Sequence, residues 1–250
     1  MQAWQLICVA LAGVVAGGVN AIAGAGSLLS YPVLVGFGLA PVPANVTNDI
    51  GVCAGNVTGL FGVRHHLAGQ RALLRRLVPR AALGSVLGAL LLLLAPASAF
   101  AWAAPPLLLI ASLITLAQPA LIARTSQMRS GRHVFHGAID AVAVYGGYFG
   151  TGIGLMFMAA LGLFIDDKPQ RLNAVKAVLQ LLANGVAGVI FAFTAQVHWD
   201  AAGCMALGSL LGGRLGAAVA NRVSAGALRT VVAVIGLGAS AWLFYRQISP

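Results

Sequence analysis

The sequence predicts an all-α polytopic membrane protein with about ten membrane segments in two inverted five-segment repeats. Three observations lead there. Only 8% of the 250 residues are charged and 60% are hydrophobic, with a mean hydropathy of +0.92. A soluble domain carries roughly 25% charged residues, and so few charges could not cover a water-soluble fold. The apolar residues fall into ten runs separated by short polar joints. Two of the joints are glycine breaks at corresponding places, Gly24-Ala25-Gly26 after the first run and Gly150-Thr151-Gly152 after the sixth. Paired interruptions in two halves of a membrane chain point to a transporter site.

In order, the runs are Trp4–Gly24, Leu28–Leu39, Asn45–Val63, Ala81–Ala95 and Trp102–Ile122, then Val134–Phe149, Ile153–Ile165, Leu172–Phe193, Ala202–Ala220 and Leu228–Phe244. This gives a first repeat over 1–124, a linker over 125–132 and a second repeat over 133–250. A full span needs about 20 residues, so Leu28–Leu39 and Ile153–Ile165 are expected to be half-helices that either cross or re-enter. The first run is expected to be a membrane helix, although Ala21-Ile22-Ala23 mimics a signal-peptidase site. No Lys or Arg precedes Arg64, whereas a signal peptide begins with a basic stretch. Cys8, Cys53 and Cys204 lie inside apolar runs without metal or disulfide spacing and read as small core residues.

The basic residues set the topology. They cluster as Arg64, Arg71, Arg75, Arg76 and Arg80, then Arg124, Arg129 and Arg132, then Lys168 and Arg171, then Arg222 and Arg229. Alternation along the ten runs puts all four clusters on one face, which positive charge marks as cytoplasmic. Both termini then lie outside, and the five-run repeat enters the second time inverted. The expected location is a bacterial inner membrane, crossed many times. A pI near 10.8 could suggest nucleic acid, but the basic residues lack the aromatic interleaving and solvated face that such binding needs. Lipid is the expected surround. The segment Arg64–Arg80 is expected to be a loop that anchors topology, with Arg64 the candidate for steering an anion inward.

The candidate site gathers at the two breaks. A helix N-terminus offers free N–H groups and a partial positive charge, which suits an anion. Gly24, Gly26, Gly150 and Gly152 would allow close approach, and Ser27 and Thr151 add hydroxyls. Glycines that only permit tight helix crossing are the competing reading. Asn45, Asn48 and Asn56 share one helical face in the first half; Asn173, Lys176, Gln180 and Asn184 share one in the second. Hydrogen bonding between helices would account for the amides, but Lys176 and Asp49 each need a partner or a task, since a mid-membrane charge costs about 2.5–3.5 kcal/mol. Lys176, with Thr47 as its repeat partner, is expected to be the anion's counter-charge. Asp49 is expected either to pair with Lys176, to take a coupling proton or sodium ion, or to lie near the wet end of its helix. Asn56, Asn184 and Arg64 are grouped with it as coupling or gating candidates.

Several stretches resemble the TauE/SafE family of membrane anion permeases: GAGSLLSYPVL (24–34), ANVTND (44–49), VRHHLAGQRALL (63–74), GGYFGTGIG (146–154) and RLNAVKAVLQLLAN (171–184). The resemblance covers nearly the whole chain. It implies export or uptake of sulfite, sulfonates or related sulfur anions. No P-loop, metal-ligand cluster or catalytic pair is present in the sequence, so no cofactor and no enzymatic role are expected. A passive anion channel and a membrane subunit of a larger complex are the alternatives, and assembly as a homodimer is left open.

Overall fold

A bilayer core offers the backbone no hydrogen-bond partners, so each apolar run must close its own bonds as a helix. The computed structural model describes residues 1–123, 131–220, 222 and 224–248. It contains α1 (Ala3–Ile22), α2 (Ser27–Gly36), α3 (Pro41–Val63), α4 (Arg71–Leu94), α5 (Ala97–Ala123), α6 (Arg132–Tyr148), α7 (Ile153–Phe164), α8 (Pro169–Thr194), α9 (Trp199–Val219) and α10 (Ala225–Ile248). A short 3-10 turn, Arg64–Leu67, follows α3, and no strand occurs among the described residues. The ten helices follow the ten runs in order. Arg124, Arg129 and residues 125–130 of the expected linker lie outside the described residues.

Six helices, α1, α4, α5, α8, α9 and α10, are long and apolar enough to cross a membrane. The chain is thus a multi-pass membrane protein. Its outward side chains are apolar and periodic, such as Leu207, Leu211 and Leu215 on α9 and Leu83, Leu87, Leu90 and Leu94 on α4. In water such stripes would be sticky patches; in a bilayer they face acyl chains. The polar residues turn inward: Asn20, Ser30, Asn45, Asn48, Asp49, Asn56, Lys176, Gln180 and Asn184 are all buried.

One expectation changes here. Residues 71–80 are helix, not loop, because Arg, Ala and Leu are good helix formers and only Pro79 interrupts them. Helix α4 therefore starts ten residues before its apolar run and carries its arginines on its first turns.

Helix directions follow from successive contacts. A Cβ on Gly13, Gly17 or Gly212 would collide with Met205, Ser209 or Val14 respectively, so α1 and α9 run parallel at backbone contact. Gly84, Gly88 and Gly147 pack the same way between α4 and α6. Helices α3 and α8 run antiparallel: Gly188 meets Ile50, and Gln180 bonds Asn56. The two short helices, 10 and 12 residues long, span only about 15–18 Å at 1.5 Å per residue. Each returns to the side where its partner helix began. Trp4, at the start of α1, stacks edge-on against Phe37 just after α2, with ring centroids 5.4 Å apart. Phe135, early in α6, packs at 5.5 Å against Phe164, the last residue of α7. The joints α3–α4, α7–α8 and α9–α10 meet at one end, where Arg171 bonds the Ala68 carbonyl and Gln70 bonds Asp167. Val63, Gln170 and Arg229 line one cavity there. The described basic loops therefore share one end of the molecule.

Candidate functional site

Glycine makes each break possible. Gly24 and Gly152 have φ of +80° and +76°, the left-handed region that residues with a Cβ avoid. The breaks also touch: the Leu155 N–H donates to the Gly24 carbonyl at 3.3 Å, and a Cβ on Gly154 would strike Gly24 and the Gln180 amide. The two glycine breaks, each followed by a short helix, are thus in contact.

The first break closes on Asn20 of α1. Its Oδ1 accepts from the Gly26 N–H at 2.6 Å, and its Nδ2 donates to Asn56 Oδ1 at 3.3 Å. Its backbone carbonyl accepts from Lys176 Nζ at 3.4 Å. Gln180 Nε2 also donates to Asn56 Oδ1, at 3.4 Å. These residues, with Ala21, Gly59, Leu60 and Ala177, surround a cavity of about 10 Å³, enough for about one water molecule. Among the described residues, Asn56 Nδ2 has no hydrogen-bond partner, and Lys176 makes only one long bond and no ion pair. The cavity is therefore rich in donors with spare capacity.

The N–H groups expected to greet an anion are partly taken. Gly26 donates to Asn20, Leu28 to the Ala25 carbonyl and Ile153 to the Gly150 carbonyl. At the Lys176 cavity the donors with spare capacity are the side chains of Asn56 and Lys176.

The second break is rich in acceptors instead. Asp49 faces the Gly150 and Gly188 backbones, and its Oδ2 has no partner among the described residues. Among the described residues, Asn45 Oδ1, and Asn184 Oδ1 on α8, are also buried without partners. Asn45 Nδ2 donates to the Tyr148 carbonyl at 3.3 Å, and Tyr145 Oη donates to the Thr151 carbonyl at 2.5 Å. Ser30 Oγ donates to Asn48 Oδ1 at 2.5 Å, which joins α2 to α3.

The Sulfite exporter TauE/SafE family model matches residues 9–243, almost the whole chain. The chain belongs to the TauE/SafE family. A probable membrane transporter protein of Haemophilus influenzae is 29% identical over 97% of this chain and 94% of its own length. The probable membrane transporter protein YfcA of Escherichia coli is 26% identical over 92% of this chain and 86% of its own. A third, ORF9 of a Sinorhizobium species, is 26% identical over 91% and 87%. No solved structure matches the chain significantly. This TauE/SafE chain is a membrane transporter.

The sequence-read candidates in this TauE/SafE protein fall into separate groups. Gly24, Gly26, Asn56, Lys176 and Gln180 meet at the first break; Asn45, Asp49, Gly150 and Thr151 lie at the second. Ser27 and Gly152 begin or cap the short helices. Asn173 is half-buried in a cavity of about 220 Å³ at the basic end, with Gln118, Gln170 and Arg229. Ala21 lines both this cavity and the small one, so the two adjoin. Asp49 and Lys176 form no ion pair. Asp140 pairs with Arg80 at 2.5 Å, a partly exposed contact. Thr47 Oγ1 accepts from the His198 N–H at the other end. Arg64 is exposed and lines a different groove, together with Arg214. The three cysteines are free and half-buried.

Sequence reading missed Asn20 and the serines Ser85 and Ser209. The available signals were a lone amide six residues before Gly26 and the repeated stretches GSVLG (84–88) and GSLLG (208–212). Ser85 Oγ donates to the Ala183 carbonyl at 2.6 Å and Ser209 Oγ to the Gly51 carbonyl at 2.7 Å.

Proposed function

We propose that this protein is a secondary transporter that moves a small sulfur oxyanion, sulfite or an organosulfonate, across a bacterial inner membrane by alternating access. The observation that carries the reading is the donor-lined cavity at the first break. Among the described residues, Lys176 is buried there without an ion-paired carboxylate, beside Asn56 Nδ2, which lacks an acceptor. An oxyanion supplies the missing acceptors and charge. The sulfur class rests on the family's printed description, sulfite exporter.

The cavity is smaller than any oxyanion, so binding requires its walls to part. Asn173, Gln118 and Arg229 form the approach from the basic end, which faces the cytoplasm on the positive-inside argument. Asp49, at the acceptor-rich second break, takes the coupling proton or sodium ion. A carboxyl buried without a protein cation needs one or the other.

Residues 1–124 and 133–250 act as inverted repeats around 125–132. Three facts support this: the equivalent pairs α1–α9 and α4–α6 both pack in parallel, the equivalents α3 and α8 are antiparallel, and the serines of the GSxLG stretches hold α3 and α8 alike. That serine register sets Gly51 against Ala183. It therefore sets Asn48 against Gln180 and Ala44, not Thr47, against Lys176.

Binding and flux with sulfite, thiosulfate, sulfoacetate, taurine and sulfate, measured on purified protein and on proteoliposomes, test the proposal. Lys176→Met should weaken the favoured anion tenfold to a hundredfold, about 1.5–3 kcal/mol for one charge-assisted contact. Asp49→Asn should keep anion exchange and lose coupling to the ion gradient. Unchanged affinity in a folded Lys176→Met protein would overturn the counter-charge role. Uncoupled, charge-carrying flux in the unmodified protein would favour a channel.

A further inference from the structure

We propose that the groove between the basic ends of α3 and α9 holds the phosphodiester headgroup of an anionic phospholipid through Arg64 and Arg214. The groove, about 550 Å³, opens on the surface of the molecule and is lined by Thr58, Phe61, Gly62, Arg64, Arg214 and Ala217, among others. It lies on α3 away from the Lys176 cavity, which Asn56, Gly59 and Leu60 line.

Its surroundings are lipid-facing. Phe61 is 60% exposed, and Leu211 and Leu215, which flank Arg214, are 62% and 60% exposed. Two guanidiniums on such a surface need a counter-charge. The three ion pairs among the described residues use Asp140, Asp167 and Asp200, and none includes Arg64 or Arg214. Asp49 is buried elsewhere, and Asp166, the fifth acidic residue, lies at the α7–α8 joint beside a separate cavity with Asp167, Pro169 and Leu172. The complementary charge must then come from the membrane.

The depth is suitable. Arg64 directly follows α3, and Arg214 lies five residues before the end of α9, about 7–8 Å deeper at 1.5 Å per residue. Arg64 sits 5.5 Å over the Phe61 ring, a cation–π contact that holds it at the rim. Arginine's planar fork binds phosphate oxygens two at a time, and anionic headgroups lie at this level of the cytoplasmic leaflet. The floor is narrow because Gly62 and Ala217 touch, where a Cβ on Gly62 would meet the Ala217 methyl at 2.5 Å. Thr58 is already committed to the Gly55 and Leu210 carbonyls, which leaves the arginines as the recognition groups. The choice of leaflet rests on the orientation proposed above; the groove and its ligand class do not depend on the transported anion.

Native mass spectrometry of the full chain in neutral detergent, titrated with phosphatidylglycerol or phosphatidylcholine, tests the site. Wild type should hold one phosphatidylglycerol that Arg64→Gln/Arg214→Gln binds about tenfold more weakly. Phosphatidylcholine should bind both proteins equally. Arg64→Lys/Arg214→Lys keeps the charges and should retain part of the affinity; it also serves if the glutamine variant fails to fold. Equal phosphatidylglycerol binding by wild type and a folded glutamine variant overturns the proposal. So does displacement of the lipid by millimolar inorganic phosphate, which would mean a site for a soluble anion. A dimer that becomes a monomer in the glutamine variant, with lipid binding unchanged, would assign the groove to a second copy of the chain instead.

Discussion

Asn20 shows how one amide can set both a backbone and a binding site. Its side-chain oxygen takes the N–H that the glycine break frees at Gly26, its nitrogen holds Asn56, and its own carbonyl meets Lys176. Three helices, α1, α3 and α8, thus converge on a residue 3% exposed. Asn20→Leu should leave the Gly26 N–H unpaired, at a cost of about 1–3 kcal/mol, and lower the melting temperature in detergent. Asn20→Asp should keep that acceptor but set a carboxylate beside Lys176. The expected outcome is a melting temperature near wild type with anion binding lost. An Asn20→Asp protein that binds the anion as well as wild type would separate Asn20 and Lys176 from recognition.

Elements are held by backbone contact more than by side chains. Lipid tails are as apolar as leucine, so helices in a bilayer gain from close packing and not from leaving water. The α1–α9 seam shows this, since Gly17, Gly208, Gly212 and Gly216 each lie against a backbone carbonyl of the facing helix. Gly212→Leu would drive a side chain into Val14 and force the helices apart. A loss of about 1–3 kcal/mol or more is expected, read as a lower melting temperature. Gly238→Leu, on α10 with no atom within 4 Å of its Cβ position, should change stability by less than about 0.5 kcal/mol. Equal effects of the two substitutions would remove the seam argument. Each short helix is fixed differently, at a glycine break on one end and an aromatic contact on the other.

For the whole molecule, the question is which end faces the cytoplasm. The described basic loops share one end, and positive charge in short loops is retained inside. In a background with the native cysteines replaced, His65→Cys should react with a membrane-impermeant thiol reagent only from the cytoplasmic side. Ser98→Cys and Gln196→Cys, exposed at the other end, should react only from outside. The reverse pattern would invert the orientation and move the Arg229 approach to the outer face. Reaction of one position from both sides would overturn the single-orientation reading.

Membrane character, ten apolar segments and two glycine breaks were legible in the sequence because hydropathy and helix-breaking are local properties. A run of apolar residues must be helical in lipid whatever surrounds it, and glycine at Gly24 or Gly152 permits a turn before any neighbour arrives. The inward face of α8 was legible for the same reason, since Asn173, Lys176, Gln180 and Asn184 repeat with the helix. Partners were not legible, because they depend on which helices meet and at what height. Spacing alone placed Asn45, Asn48 and Asn56 on one wall; packing sends them to Tyr148, Ser30 and Asn20, at different depths along α3. Spacing also allowed Asp49 to face Lys176, but the antiparallel crossing of α3 and α8 puts Asp49 near Gly188 and Asn56 near Gln180, more than two helical turns apart along α8. Only the tertiary structure divides the polar residues into a donor-lined break and an acceptor-lined one, because hydrogen bonds between helices follow three-dimensional register and not sequence order.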